Sequence, residues 1–267
     1  MAEIERGIYF VEEIAKGIYK IYEQRNAAVY LVIGEKKACL IDTAYGLTDL
    51  KELVSEYTDL PVTVVNTHGH IDHVLGDHWF EDVYLHHSDK AMYDEITEEF
   101  SQMIKEPWVL DFYGDFIKGL DVDSVNFPVP KDITEGDVIN LGGKTLEIYE
   151  MPGHTEGSII VVDRADKICF SGDSIIENLW LFLEESTEPA VYLDSLKRVR
   201  RILYDSGIEK IYNGHFSYDP IALPKLDTMV KAMEMIISGE LEGVPVENHA
   251  GKGVEYSYDG WKVICRK

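Results

Sequence analysis

The spacing of apolar residues changes along the chain. The first part contains short apolar, β-rich runs separated by glycine or polar breaks, at 8–11, 18–22, 28–33 and 38–41. Such runs predict neighbouring antiparallel strands. Residues 46–57 then place apolar side chains at helical spacing, and a continuous apolar run follows at 62–66. A helix followed by a buried strand is therefore expected here, and helix and strand signals alternate from this point onward.

The second part of the chain continues this alternation. Further strands are predicted at 83–85, near 138, and at 145–149, 158–162, 167–170 and 208–212. A mainly helical insertion is expected at about 88–130, and a helix at 189–207, with Pro189 at its first turn and Gly207 as its stop. The C-terminal part, about 223–267, is expected to form a helix and then a hairpin that turns at Asp259-Gly260. We predict one α/β domain over 1–267, with mixed sheets and helices outside them.

Composition limits the kinds of partner. The chain has 267 residues, 45% of them hydrophobic, and a formal net charge of −24. An acidic surface repels phosphate backbones and anionic lipids, so a small-molecule substrate is expected rather than nucleic acid or a membrane. The first residues lack the cations and apolar region of a secretory signal, which favours a cytoplasmic location. Cys39, Cys169 and Cys265 lie far apart in apolar runs, as is typical of buried thiols.

The chemistry is concentrated in Thr67-His68-Gly69-His70-Ile71-Asp72-His73, directly after the predicted strand 62–66. Loops at the carboxyl ends of strands are where α/β folds place their sites. Residues two apart in an extended loop project to the same side, so His68 and His70 can share one ion. Asp72 and His73 then turn toward a second ion.

Three more loops carry metal-ligand side chains after predicted strands. They contain His154 in Pro152-Gly153-His154, Asp173 in Ser171-Gly172-Asp173 and His215 in Asn213-Gly214-His215. A neighbouring glycine lets each loop turn tightly and approach an ion. The complete set is five histidines and two aspartates.

These motifs, in this order, resemble those of the metallo-β-lactamase-fold hydrolases, in the dinuclear glyoxalase II-like and lactonase-like branch. The resemblance runs from Asp42 to His215 and implies an αββα sandwich of two mixed β-sheets flanked by helices. It implies that one metal is held by three histidines, that three further side chains hold a second metal, and that one aspartate bridges both. The residues that match the first metal's ligands are His68, His70 and His154. Those that match the second metal's ligands are Asp72, His73 and His215, and the bridging aspartate is Asp173. Asp42 matches the family's supporting acid, which orients the histidine loop.

The resemblance also implies the reaction. Two divalent ions share a hydroxide that attacks a carbonyl polarised by the same ions, which opens an ester, thioester, lactone or amide. Asp72 is the side chain expected to orient this nucleophile and to carry a proton to the leaving group. Imidazole and carboxylate ligands suit Zn(II), and Mn(II) or Fe(II) would also be accepted. The alternative is a mononuclear iron dioxygenase of the persulfide dioxygenase type, which the complete second ligand set disfavours.

Differences between this chain and known members of the family limit the range of substrates that it is expected to accept. Ser174 to Asn178 differs from the Gly-Cys-Gly-Arg-Phe-type segment of glyoxalase II, and Ile176 stands where lactonases have a substrate-contacting tyrosine. Two aromatic-rich stretches lie beside the metal motifs, and from them we predict substrate contacts by Trp108, Phe112 and Trp180. Packing in the core is the alternative role for these three residues. A partly apolar substrate is expected.

Overall fold

The computed structural model describes residues 4–23, 26–115, 117, 125–217 and 219–267. Within these residues the strands are β1 Ile4–Arg6, β2 Tyr9–Ala15, β3 Ile18–Glu23, β4 Ala28–Ile33, β5 Ala38–Ile41, β6 Val62–Val65, β7 Val83–Leu85, β8 Lys131–Asp132, β9 Val138–Asn140, β10 Thr145–Glu150, β11 Ile159–Asp163, β12 Ile168–Phe170, β13 Asn178–Leu181, β14 Lys210–Tyr212, β15 Ile221–Ala222, β16 Val244–Asn248, β17 Gly251–Tyr258 and β18 Trp261–Cys265. The helices are α1 Leu50–Ser55, α2 Ile71–Val74, α3 Lys90–Asp94, α4 Ile96–Met103, α5 Pro107–Tyr113, α6 Pro189–Asp205 and α7 Lys225–Ser238, with short 3₁₀ helices at Leu75–Trp79 and His87–Asp89.

The chain divides into two compact units. The first comprises Met1–Ile133, Ile139–Thr145 and Gly214–Phe216. The second comprises Thr134–Val138, Leu146–Asn213 and Ser217–Lys267. Each unit has its own cluster of buried apolar side chains.

The first unit is built on an eight-stranded sheet in the order β1 to β8. Strands β1 to β5 pair antiparallel, and β5 to β8 pair parallel. Central strands such as β4 and β5 are buried along nearly their whole length, which explains their continuous runs of apolar residues. The parallel pairs bring the carboxyl ends of β5 and β6 to the same edge of the sheet.

The second unit contains strands of a mixed sheet in the order β15-β14-β12-β11-β10. Helix α6 begins at Pro189 and buries Leu193, Leu196, Val199 and Leu203, which recur at helical spacing. Helix α7 ends at Gly239, whose φ of 76° gives the left-handed cap that glycine tolerates without strain.

A four-stranded sheet, β13-β18-β17-β16, adds to the two mixed sheets that the sequence predicts. It contains the predicted hairpin, in which β17 and β18 are antiparallel and turn at Asp259-Gly260. Strand β13 pairs with β18 in parallel, with Asn178 opposite Lys262. These two strands are remote in sequence, so local patterning had no means to indicate the pairing.

The stretch 88–130, for which the sequence predicts a mainly helical insertion, contains both helical and irregular segments among its described residues. Short helices occupy this stretch as far as Tyr113, whereas residues 125–130 have no regular secondary structure. Pro128 and Pro130 explain the difference, because proline lacks an amide donor and disfavours a helical residue before it. Residues 116 and 118–124 lie outside the described part of the chain.

Two further features concern the cysteines and the lengths of the helices. Cys39, Cys169 and Cys265 are buried and free, as predicted. Among the described residues, no helix has the length and apolar character needed to cross a membrane.

Candidate metal centre

The histidine loop follows β6 and leads into α2, so it lies at the carboxyl edge of the parallel part of the first sheet. His68 is buried, and its Nε2 lies 3.1 Å from Nδ1 of His70. Their rings meet edge to face with centroids 4.7 Å apart. The alternation expected of an extended loop therefore brings these two imidazoles together.

A second group in the same unit consists of Asp72, His73 and His215. One ligand atom from each lies within 4.8 Å of the others. Oδ2 of Asp72 is 3.8 Å from Nε2 of His73 and 3.6 Å from Nε2 of His215. These separations leave room for one ion bonded to each atom at about 2.0–2.2 Å, and two imidazoles with a carboxylate suit zinc. The residues therefore fit a divalent metal.

His215 reaches this group through backbone pairing with the start of β4. The amide of Ala28 donates to the carbonyl of Gly214 over 2.8 Å, and the amide of Phe216 donates to the carbonyl of Asn26 over 2.8 Å. Ala27 and His215 form an isolated antiparallel bridge between these two hydrogen bonds. A residue remote in sequence is thereby fixed beside the histidine loop.

Asp42 is buried beneath the histidine loop and contacts it at three points. Its Oδ1 accepts a hydrogen bond of 2.7 Å from the amide of Thr67, and its Oδ2 accepts one of 2.9 Å from the Thr67 hydroxyl. The same Oδ2 lies 2.9 Å from Nδ1 of His73. A neutral imidazole that donates from Nδ1 to this carboxylate keeps the lone pair of Nε2 for a metal.

The second unit holds the other two predicted ligands. His154 follows β10, Asp173 follows β12, and His154 Nε2 lies 3.7 Å from Asp173 Oδ2. Nδ1 of His154 lies 2.8 Å from the carbonyl oxygen of Trp180, a contact that leaves Nε2 facing the aspartate. Gly153 is required beside His154, because a Cβ there would collide with the ring of Tyr192. The assignment of all seven ligands to one centre stays a prediction.

Comparison with known proteins decides the family. The family model described as the metallo-beta-lactamase superfamily matches residues 22–215. The chain belongs to the metallo-beta-lactamase superfamily. This confirms the resemblance stated above.

Solved structures agree on the fold of this superfamily member. A metallo-beta-lactamase from Erythrobacter litoralis, solved with beta mercaptoethanol in its active site, aligns with a TM-score of 0.58 at 18% identity, covering 87% of this chain and 99% of that one. The metallo-beta-lactamase family protein TTHA1429 from Thermus thermophilus aligns with a TM-score of 0.56 at 22% identity, covering 85% and 80%. The predicted fold class is confirmed.

Curated relatives include hydrolytic enzymes. The protein named acyl-coenzyme A thioesterase MBLAC2 from Homo sapiens is 28% identical over 231 residues, which is 79% of this chain and 78% of that protein. Its counterpart from Gallus gallus is also 28% identical, over 236 residues. The hydroxyacylglutathione hydrolase GloC from Haemophilus influenzae is 27% identical over 150 residues, 54% of this chain and 63% of that protein. The prediction of a hydrolytic enzyme is confirmed.

The predicted aromatic contacts of this superfamily member have different surroundings. Trp108 is 40% exposed, and its ring lies 5.7 Å from that of Tyr45 and 6.2 Å from that of Tyr113. In the second unit, the half-buried Trp180 packs beside Phe182 at 5.3 Å. The backbone of Phe112 belongs to α5, but its side chain lies outside the described residues. Substrate contact by these three residues stays a prediction.

Tyr45 is a candidate site residue that the sequence reasoning missed. Its hydroxyl accepts from Nδ2 of Asn26 over 3.2 Å. Burial and then the neighbouring Asp72 carboxylate raise the pKa of Tyr45, so its phenol stays protonated at neutral pH. A signal did exist: Tyr45 follows β5 as the histidine loop follows β6, and these parallel neighbours end at one edge.

The loop after β5, residues 42–47, has a strained backbone. Asp42 and Ala44 have φ values of 61° and 55°, in the left-handed region that costs a residue with a Cβ about 1–2 kcal/mol. Gly46, at 59°, is left-handed as well, and a Cβ there would collide with Gly76. The loop therefore needs support from its surroundings to hold Asp42 in place.

Two buried carboxyls provide contacts to this loop. Asp77 accepts a hydrogen bond of 2.9 Å from the Thr43 hydroxyl and one of 2.6 Å from Nδ2 of Asn66. Glu23 accepts backbone amides of the loop. Burial raises the pKa of each carboxyl to about 7, against the effect of these hydrogen bonds.

Asp77 should make stability depend on pH. Its pKa is raised from 3.8 to about 7 in the folded protein, so folding binds its proton more tightly. The stability that this contributes is complete below about pH 4 and is lost as pH rises to about 7, by up to about 4 kcal/mol. We expect Asp77→Asn to remove this part of the decline. Urea denaturation of metal-free protein from pH 4 to 8 measures it, and equal pH slopes for wild type and variant would contradict the expectation.

Proposed function

We propose that this protein is a dinuclear metal-dependent hydrolase that cleaves acyl thioesters with a partly apolar acyl group. The observation that carries the proposal is the convergence of Asp72, His73 and His215, with His73 held by Asp42. This geometry suits a metal-dependent hydrolase, and the kinship with proteins named as an acyl-coenzyme A thioesterase and a hydroxyacylglutathione hydrolase favours a thioester as the scissile bond.

The proposed centre uses both halves of the ligand set. His68, His70 and His154 would hold one ion, Asp72, His73 and His215 the other, and Asp173 would contact both. Its support is the 3.1 Å approach of His68 to His70, the separate Asp72 group and the pairing of His154 with Asp173. Zinc is the metal that these ligands fit best, and Mn(II) or Fe(II) would also bind. When bound, the ions would lower the pKa of a water and polarise the substrate carbonyl.

Asp72 is the proposed proton carrier. Its side chain remains partly open to solvent, while Asp42 beside it is buried. One carboxylate oxygen faces His73 and His215, which leaves the second oxygen to accept a proton from the attacking water. That proton would then pass to the departing thiolate. The protein needs no nucleophilic side chain for this reaction.

The acyl group would lie against Trp108 and Tyr45. Part of the Trp108 ring is exposed to solvent. The ring of Tyr45 lies beside it, and Tyr45 is also close enough to Asp72 for that carboxylate to raise the pKa of its phenol. Covering an exposed aromatic face with an apolar chain is favourable in proportion to the area removed from water. The net charge of −24 favours a leaving thiol that carries few negative charges.

The test is a hydrolysis panel with zinc-loaded protein. Acyl-coenzyme A, acylglutathione and the uncharged acyl-N-acetylcysteamine are compared with an aryl ester, a lactone and a β-lactam, in air and without oxygen. We expect thioesters to be hydrolysed fastest, at equal rates in both atmospheres. Faster lactone or ester cleavage would overturn the thioester assignment. In a parallel assay of iron-loaded protein with a persulfide substrate, oxygen consumption matched to product would instead favour a mononuclear iron dioxygenase.

Trp108→Ala should change specificity more than stability. We expect catalytic efficiency to fall at least about tenfold for octanoyl or benzoyl thioesters but little for acetyl thioesters, because only large acyl groups cover the ring. Tyr204→Ala is the matched control, since Tyr204 is 41% exposed in the second unit. Equal losses across the acyl series, or a large drop in melting temperature without a change in specificity, would return Trp108 to a packing role.

A further inference from the structure

The carboxylate of Glu23 lies buried against the loop 42–47. Glu23 is the last residue of β3 and is fully inaccessible to solvent. Its Oε2 accepts hydrogen bonds from the amides of Tyr45, at 2.7 Å, and Gly46, at 3.2 Å. Its Oε1 accepts a hydrogen bond of 3.3 Å from the amide of Leu47. Three successive backbone donors therefore converge on a single side chain.

These hydrogen bonds hold the loop at the point where its backbone is least favourable. Asp42, Ala44 and Gly46 all have positive φ, and only the last is a glycine. At the other side of the loop, the Thr43 amide donates to the carbonyl of His73 over 2.7 Å. Glu23 thus anchors the second half of the loop, while the first half is attached to α2 at His73.

Burying a carboxylate costs more free energy than burying an apolar side chain of the same size. Removing a charge from water costs free energy that only good hydrogen bonds or opposite charges offset, and an apolar side chain of similar size would pack in the core without that cost. The presence of a buried acid here is therefore explained by the backbone amides that it holds. The loop it holds begins at Asp42, whose Oδ2 lies 2.9 Å from His73 Nδ1.

We propose that Glu23 is a positioning residue for the candidate metal centre, acting through the loop 42–47 to keep Asp42 against His73. The metal-binding part of this inference rests on the proposed function, whereas the anchoring of the loop is independent of it. In the described part of the chain, the hydrogen bonds of the Glu23 carboxylate go to the loop 42–47 and not to a proposed metal ligand. The effect of Glu23 on His73 passes through the loop backbone and the carboxylate of Asp42.

The first experiment follows the loop in metal-free protein. Amide hydrogen exchange at Tyr45, Gly46 and Leu47 is measured in wild type, Glu23→Gln and Glu23→Ala. Glutamine has nearly the same shape and keeps one acceptor oxygen, so this variant is expected to fold even if the alanine variant does not. We expect exchange at these three amides to accelerate at least about tenfold in Glu23→Gln, because the opposed amide group no longer accepts all three hydrogen bonds.

The second experiment measures zinc affinity by competition with a chromophoric chelator. Partners that orient a ligand typically change metal affinity 10- to 100-fold, and we expect a loss of about tenfold in Glu23→Gln. Ile21→Val is the matched control, since Ile21 is a fully buried residue of the same strand and does not contact the loop through hydrogen bonds in the described structure. It should reduce stability without changing zinc affinity or selectively accelerating exchange at the three amides.

A double-mutant cycle with Asp42→Asn tests the route. If Glu23 acts through Asp42, the double variant should lose little more zinc affinity than Asp42→Asn alone. Fully additive losses, or unchanged exchange and zinc affinity in folded Glu23→Gln, would overturn the proposal. If wild type binds no zinc, the proposed function fails and the positioning role fails with it, while accelerated exchange would still show that Glu23 anchors the loop.

Discussion

Replacing Asp72 by asparagine is expected to lower thioester turnover by at least about 100-fold, because proton transfer by a positioned carboxylate contributes on that scale. Asparagine keeps the size of the side chain and one oxygen for His73 and His215, but it has no oxygen that accepts a proton at neutral pH. Asp72 lies in the first turn of α2 with a partly exposed side chain, so the change leaves the buried core unaffected. Steady-state turnover on the best substrate of the panel, at saturating zinc, measures the effect.

The matched control for this variant is Asp132→Asn. Asp132 also lies beside a histidine, with Oδ1 at 3.2 Å from Nδ1 of His87, but this exposed pair belongs to no proposed ligand set. Turnover should stay near the wild-type value in the control. Zinc content is measured in both variants, since a loss of metal would lower turnover without any role in proton transfer. Wild-type turnover in zinc-replete Asp72→Asn would show that the carboxylate is a dispensable neighbour of the histidines.

Much of the fold follows from local pattern. Strands 28–33, 38–41 and 83–85 have the bounds that the sequence predicts, because continuous apolar runs between turn residues belong to central, buried strands. The helix beginning at Pro189 and the Asp259-Gly260 hairpin are equally local features. What local pattern does not contain is the pairing of β13 with β18, since the two strands are remote in sequence and no turn joins them.

The site residues likewise include some that a sequence motif indicates and others that only the folded structure brings together. The histidine loop is visible as a motif, and the position after a parallel strand indicates where it lies. Glu23 and Tyr45 carry no motif, because a glutamate at the end of a strand is usually exposed and a tyrosine in a loop is ordinary. Only the folded chain brings the Glu23 carboxylate to the Tyr45 amide and the Tyr45 phenol near Asp72.

Contacts remote in sequence also explain why ligands converge without a continuous motif. His215 is held beside Asp72 through hydrogen bonds that flank Ala27, and Asp42 reaches His73 from the end of β5. Backbone hydrogen bonds fix His215, whereas a side-chain carboxylate orients the ring of His73. A preorganised ligand set of this kind loses little conformational entropy on binding, which favours tight metal binding.

Removing metal is expected to lower hydrolysis at least about 1,000-fold. Lewis-acid polarisation of a carbonyl and activation of water together supply several kcal/mol, and each 1.36 kcal/mol corresponds to about a factor of ten in rate. Dialysis against a chelator should abolish thioester cleavage, and added zinc should restore it. Elemental analysis of the restored protein should give about two ions per chain, because the proposed ligand set of five histidines and two aspartates would fill two sites with one shared carboxylate.

The proposed second ion would use His215 as a ligand, so His215→Ala should lower the zinc content toward one per chain and reduce turnover in proportion to the lost site. His87→Ala is the control, because this exposed histidine pairs with Asp132 and should leave both content and turnover unchanged. One ion per chain in fully loaded wild type, with no change in His215→Ala, would contradict the dinuclear centre and favour a one-iron enzyme. Undiminished hydrolysis by metal-free protein would contradict metal dependence altogether, since the proposed reaction assigns no side chain as nucleophile.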